Sequence, residues 1–153
     1  GRLERLHAWL YAQALRAAGL DPTYGAYIEQ VSAVTLATAN VMSMFAMNRR
    51  FRAASMGHLA VFEATSSVPC RRIASGLGRL GFPREVAAYF EEHIEADAVH
   101  EQLAARDICA TMAAEQPHLA PDILFGAATC LYLEGLAAAD LLARWRVEER
   151  MAS

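Results

Sequence analysis

Apolar residues recur along this chain at three- and four-residue intervals, with hardly any strand-like alternation, so the pattern predicts helices throughout. A first helix is expected from about Leu3 to Ala18, ending at Gly19, a residue suited to the position just past a helix C-terminus. Asp21-Pro22 offers a cap and a first-turn residue for a short helix through Tyr24 and Tyr27. A third helix covers about Ala33 to Asn48. A fourth runs from near Phe51 to Leu80, with Pro69 expected to bend or break it around Ser66-Ser67-Val68 and Gly81 closing it. Pro83 starts a fifth helix that continues towards Glu115. Pro117 and Pro121 separate it from a last helix, from Ile123 to about Glu149. With short connections and no repeats, the expected fold class is all-α, a compact helical bundle of about six helices in a single domain, residues 1–153.

The fifth helix changes the picture from fold to chemistry. On its solvent face lie Glu91, Glu95, Gln102 and Arg106, and on its core face Val86, Phe90, Ala104 and Ile108. His93, Asp97 and His100 share the core stripe, since at helical pitch they stand at about 0°, 40° and −20° to one another. Ionisable groups among apolar neighbours are costly unless paired or bound to metal. Two imidazoles and a carboxylate on one inward face read as half of a metal site.

Bundles complete such sites from facing helices. Glu63 extends the stripe Met56, Leu59 and Ala60 at helical spacing, which places a carboxylate on an apolar face. Either a nearby Arg or a metal or His partner resolves that conflict. His7 shares a face with Leu3, Leu10 and Ala14, as a hydrogen-bonded core residue or as a ligand. Glu4 is displaced from it by about 60° and either reaches the same centre or pairs with nearby arginines at the surface. His58 lies about 140° from Glu63 on its helix and should miss the site, in a capping or surface role. His118, between prolines, is expected in solvent. Met42, Met44 and Met47 are expected in the core. Glu134 shares a face with Leu131, Ala138 and Leu141, with a salt bridge or support of the site as its readings.

Composition narrows the partners. The chain has 153 residues and a net charge of −3, with a pI near 5.9, so it lacks the basic footprint of a nucleic-acid-binding protein. Three cysteines, Cys70, Cys109 and Cys130, show no Cys-x-x-Cys spacing and read as buried free thiols in a reducing compartment. The uncharged stretch Gln30 to Asn48 holds Ser32, Thr35, Thr38, Asn40 and Ser43, too polar for a membrane span. A helix buried on most sides is expected there, and the protein is expected to be cytoplasmic, without a membrane partner.

The segments Gly57-His58-Leu59-Ala60-Val61-Phe62-Glu63-Ala64-Thr65-Ser66-Ser67-Val68-Pro69 and Tyr89-Phe90-Glu91-Glu92-His93-Ile94-Glu95-Ala96-Asp97-Ala98-Val99-His100-Glu101 resemble the iron-containing redox enzyme family. The resemblance extends to Leu20–Tyr27 and Val34–Thr38. That family belongs to the heme-oxygenase-like diiron oxidases and oxygenases, whose fold the quinone-cofactor synthase and the thiaminase-like proteins share. The resemblance implies a heme-oxygenase-like fold. It also implies metal ligands at Glu63, His93, Asp97 and His100, with His7 where the family has a His on an earlier helix.

The implied activity is oxidation of a small organic substrate by O2 at non-heme iron, as an oxidase, desaturase or oxygenase. Mixed His and carboxylate donors suit Fe(II), up to two ions, or Mn(II). The family supplies a further Glu upstream of the His and an N-terminal helix that this chain is expected to lack. One metal position is therefore expected to be short of a carboxylate unless Glu4 replaces it. The alternative is a metal-free helical protein that binds a small molecule on the same scaffold. A homodimer is compatible with either reading.

Overall fold

The computed structural model describes residues 6–145, with the side chains of residues 95–99 outside that description. Six α-helices are found among the described residues: α1 (His7–Ala17), α2 (Ala33–Met47), α3 (Arg52–Arg79), α4 (Arg84–Gln102), α5 (Thr111–Glu115) and α6 (Ala120–Arg144). A π-helical segment, Leu103–Ala110, continues α4 into α5, and short 3-10 turns occupy Ile28–Gln30, Arg49–Phe51 and Pro117–Leu119. No strand occurs among the described residues. The fold class among the described residues is all-α, as expected.

Local signals explain several helix ends. Gly19 and Gly81 adopt φ of 75° and 77°, the left-handed conformation that glycine reaches without a Cβ clash. Behind them Leu20 N–H donates to the Leu15 carbonyl at 2.8 Å, and Phe82 N–H to that of Leu77 at 3.1 Å. The Ser32 hydroxyl caps α2 by accepting from Thr35 N–H at 3.3 Å. At Asp21-Pro22 the expected short helix is replaced by a turn: the Asp21 carboxylate accepts from Thr23 N–H at 2.9 Å, an Asx turn in which the side chain competes with helix formation. Hydrogen bonds from the Thr23 side chain and then from its backbone N–H hold the Asp21 carboxyl below its usual range. Helix α3 is not broken at Pro69. Pro121, expected in the connection, lies in the first turn of α6, where a missing N–H costs nothing.

The contacts divide the chain into two units. One comprises Gly1–Ile28 and Glu63–Glu101, the other Glu29–Phe62 and Gln102–Ser153. In the second unit α2 packs on α6, and Ala53, Cys109 and Ile123 form a core flanked by Met56, Ala60, Met112, Ala113 and Leu119. A Cβ built at Gly57 would collide with the Ile123 carbonyl oxygen, and one at Gly126 with the Ala54 carbonyl. Paired glycines therefore permit this close backbone crossing.

Phe45 is the buried residue of α2, and its ring meets Phe51, Phe125 and His58 at centroid separations of 5.5, 6.0 and 6.0 Å. Met42, Met44 and Met47, expected in the core, are exposed. Helix α2 carries no charge, but its packing covers only a single face, so the expectation of burial on most sides fails.

The π-helical segment shifts the phase of the hydrophobic stripe. Ala104 is buried as expected, while Ile108, one α-turn later, is exposed and Cys109 is buried in its place. A π-helix bonds i to i+5, so the residue under Ala104 is the fifth along, not the fourth. Cys109 and Cys130 are buried free thiols, and Cys70 is half-buried. Burial pushes the Cys109 thiol up, and burial with the nearby Glu134 charge raises Cys130 to about 11.

Candidate metal centre

All five candidate ligands, His7, Glu63, His93, Asp97 and His100, belong to the first unit. Helix α1 supplies His7, α3 supplies Glu63, and α4 supplies the other three. The rise of a helix, about 1.5 Å per residue, separates His93 from His100 by two turns along α4, with Asp97 between them. The Asp97 side chain lies outside the described residues, as does all of Glu4.

The remaining four come together as two pairs. His7 stacks on His93, ring centroids 4.4 Å apart and planes 27° from parallel. The His100 Nδ1 lies 3.3 Å from Glu63 Oε2, with the carboxylate side chain 18% exposed and the imidazole 47%. No group of three metal-ligating side chains forms among the described residues. His7 itself is exposed and His93 half-buried. The face of α4 expected to point inward is therefore buried at Val86 and open at His100.

The orientation of His93 is fixed from within α4. Its Nδ1 lies 2.7 Å from the Tyr89 carbonyl oxygen, one turn earlier. A carbonyl can only accept, so Nδ1 carries the hydrogen and the neutral ring keeps its lone pair on Nε2. Metal-ligating histidines are held this way, with one nitrogen on a carbonyl or carboxylate and the other on the ion. Tyr89 also borders the ring, 4.6 Å from His93 and 6.4 Å from His7 between centroids.

The donor set, imidazole nitrogens with carboxylate oxygens and no thiolate, fits Fe(II) or Mn(II). Carboxylates are compatible with a hard cation, and imidazole supplies the borderline donors that favour a transition metal over calcium or magnesium.

Other residues weighed for this site lie elsewhere. His118 is exposed in the turn Pro117–Leu119, as expected. Glu134 is exposed. His58, expected in a capping or surface role, is 4% exposed and lies edge-on to Phe45 in the second unit. Burial lowers its pKa from the ordinary histidine value. Its position relative to Glu63 on the helix was legible, but which neighbour would cover it was not. Sequence periodicity missed Tyr89 and Tyr11, whose rings touch at 5.1 Å. Their spacing from His93 and His7, four residues in each case, was the available signal.

No curated protein and no solved structure matches the chain. Residues 1–135 match the family described as iron-containing redox enzyme. With that match beside the His and carboxylate donors of its first unit, the chain belongs to the iron-containing redox enzyme family, and its function is a redox one.

Proposed function

We propose that the chain is a non-heme iron oxidoreductase that uses O2 to oxidise a small organic substrate. In this reading Glu63, His93, Asp97, His100 and His7 hold the metal, Fe(II) in up to two positions. The observation that carries it is the His93–Tyr89 hydrogen bond, which leaves Nε2 as the nitrogen through which the neutral ring would accept a metal. The stacked His7 supports it, because it brings a second imidazole, from another helix, to 4.4 Å from the His93 ring.

Iron bound by such donors supplies O2 activation. The chain's own residues do the rest. His93 and His100 would supply imidazole nitrogens to the metal, Glu63 and Asp97 negative charge that offsets it, and the Tyr89 carbonyl keeps the His93 ring from turning away. Free thiols at Cys109 and Cys130 are compatible with a cytoplasmic setting.

The test is iron content after anaerobic loading with Fe(II) and gel filtration. His93→Ala is expected to reduce bound iron by about 10-fold or more in affinity, whereas His118→Ala retains it. Variants are first matched in helicity by circular dichroism. Equal losses at both positions, or no iron in the parent chain, would overturn the reading.

A further inference from the structure

Helix α6 turns one face into the second unit and leaves the other uncovered among the described residues. Ile123, Gly126 and Cys130 are its buried residues. On the outer side Leu124, Ala128, Leu131, Gly135, Ala138 and Leu142 are all exposed. Their spacing alternates four and three, the seam of a helix that packs lengthwise on another helix. Leu124, Phe125, Leu131, Tyr132, Leu142 and Trp145 are 50–69% exposed. At about 100 Å² or more each, they leave more apolar surface than a soluble monomer usually shows. The total approaches the ~800 Å² that each partner of a standard interface covers.

Gly135 is a second, independent sign of close approach. Glycine weakens a helix interior. The crossing with α3 accounts for Gly57 and Gly126, where a Cβ would strike backbone. At Gly135 a Cβ would meet nothing within 4 Å, so the described chain does not require it. A second helix laid on the seam would. The face is also its own complement. In an antiparallel pair centred at the level of Leu133, Leu131 lies over Gly135 of the other copy, Ala128 meets Ala138, and Leu124 meets Leu142. A bilayer fits less well. The exposed Glu134 stands near the middle of α6, where a spanning helix would hold it at the membrane centre. At about 80° from the seam, it stays in water beside a partner helix.

We propose that α6 is a self-association surface through which two copies of the chain pair antiparallel as a two-fold dimer. The pairing is independent of the metal centre. Sedimentation of the full chain is expected to give a species of twice its 16.7 kDa. Leu131→Lys puts a charge from each copy into the seam and is expected to weaken the dimer about 100-fold or more. Gly135→Leu should do the same while the monomer gains helix propensity, so misfolding cannot account for that loss. Leu80→Lys, at an exposed leucine of the first unit, should leave the dimer intact. Leu124→Glu mixed with Leu142→Lys should restore the association that each variant alone has lost, which sets the direction of the pair. Rescue by Leu124→Glu with Leu124→Lys instead overturns the antiparallel register. A dimer that survives both Leu131→Lys and Gly135→Leu overturns the seam. So does a parent chain that stays monomeric at about 100 μM, well above the micromolar limit for interfaces of this size. Flotation of that monomer with phosphatidylcholine–phosphatidylglycerol vesicles would assign the face to a membrane.

Discussion

His58 shows how a single side chain couples stability to pH. It is 4% exposed against Phe45, and burial favours the neutral ring, so its folded pKa falls below the ordinary 6.5. The sign follows from proton counts. As pH drops below about 6.5, the unfolded chain takes up a proton at this ring that the folded chain does not. The contribution is fully present above that pH and is lost as pH falls towards the depressed folded value. Urea midpoints of the parent should therefore drop more between about pH 7 and 5 than those of His58→Leu, which removes the titration. Parallel pH profiles for the two chains would show that the imidazole is not held neutral. Asp21 shifts in the same downward direction through its Thr23 bonds, but it is exposed and its effect is screened by water.

At the scale of elements, the crossing of α3 and α6 in the second unit depends on Gly57 and Gly126. Each would place a Cβ against a backbone carbonyl of the other helix, which cannot rotate aside as a side chain could. Gly57→Ala and Gly126→Ala are each expected to cost about 3 kcal/mol, despite the higher helix propensity of Ala. Gly76→Ala, where a Cβ meets open space, should be neutral or stabilising by about 1 kcal/mol. Chemical denaturation of the three variants checks the contrast, and a loss at position 76 equal to that at 126 would argue against the crossing. Helix α6 with its leading turn, Pro117–Arg144, is long and apolar enough to cross a membrane, at a mean hydropathy of 1.3. The core helices of globular proteins share that property, so length and composition assign no membrane here.

For the molecule as a whole, metal and folding are expected to be linked. A ligand that binds the folded chain and not the unfolded one raises stability with its concentration. Micromolar-to-millimolar Fe(II) or Mn(II) added without oxygen should raise the melting temperature progressively, by about 2–4 °C for each kcal/mol of binding free energy recovered. His100→Ala should flatten that dependence, because it removes the partner of Glu63, while His118→Ala should leave it intact. A melting temperature indifferent to metal in the parent chain would contradict the proposed centre.

Much of the architecture was settled by local sequence. Ser32, Gly19 and Gly81 mark helix ends because capping and positive φ depend on the residue itself and its near neighbours. The placing of His93, Asp97 and His100 on one face of α4 needs only the helical period, and the His93–Tyr89 bond joins residues four apart on the same helix. Family membership was legible for the same reason, since its motifs lie within single helices.

What required the folded chain was every choice of neighbour. Periodicity fixes the angle at which a side chain leaves its helix, but it does not say which other element covers that angle. The meeting of His7 with His93 and of Glu63 with His100, the burial of His58 and the exposure of Met42, Met44 and Met47 were all decided there. The exchange of Ile108 for Cys109 in the core was decided by a π-helical phase shift. Its hydrogen-bond register belongs to the folded backbone, and the spacing of apolar residues in the sequence carries no mark of it.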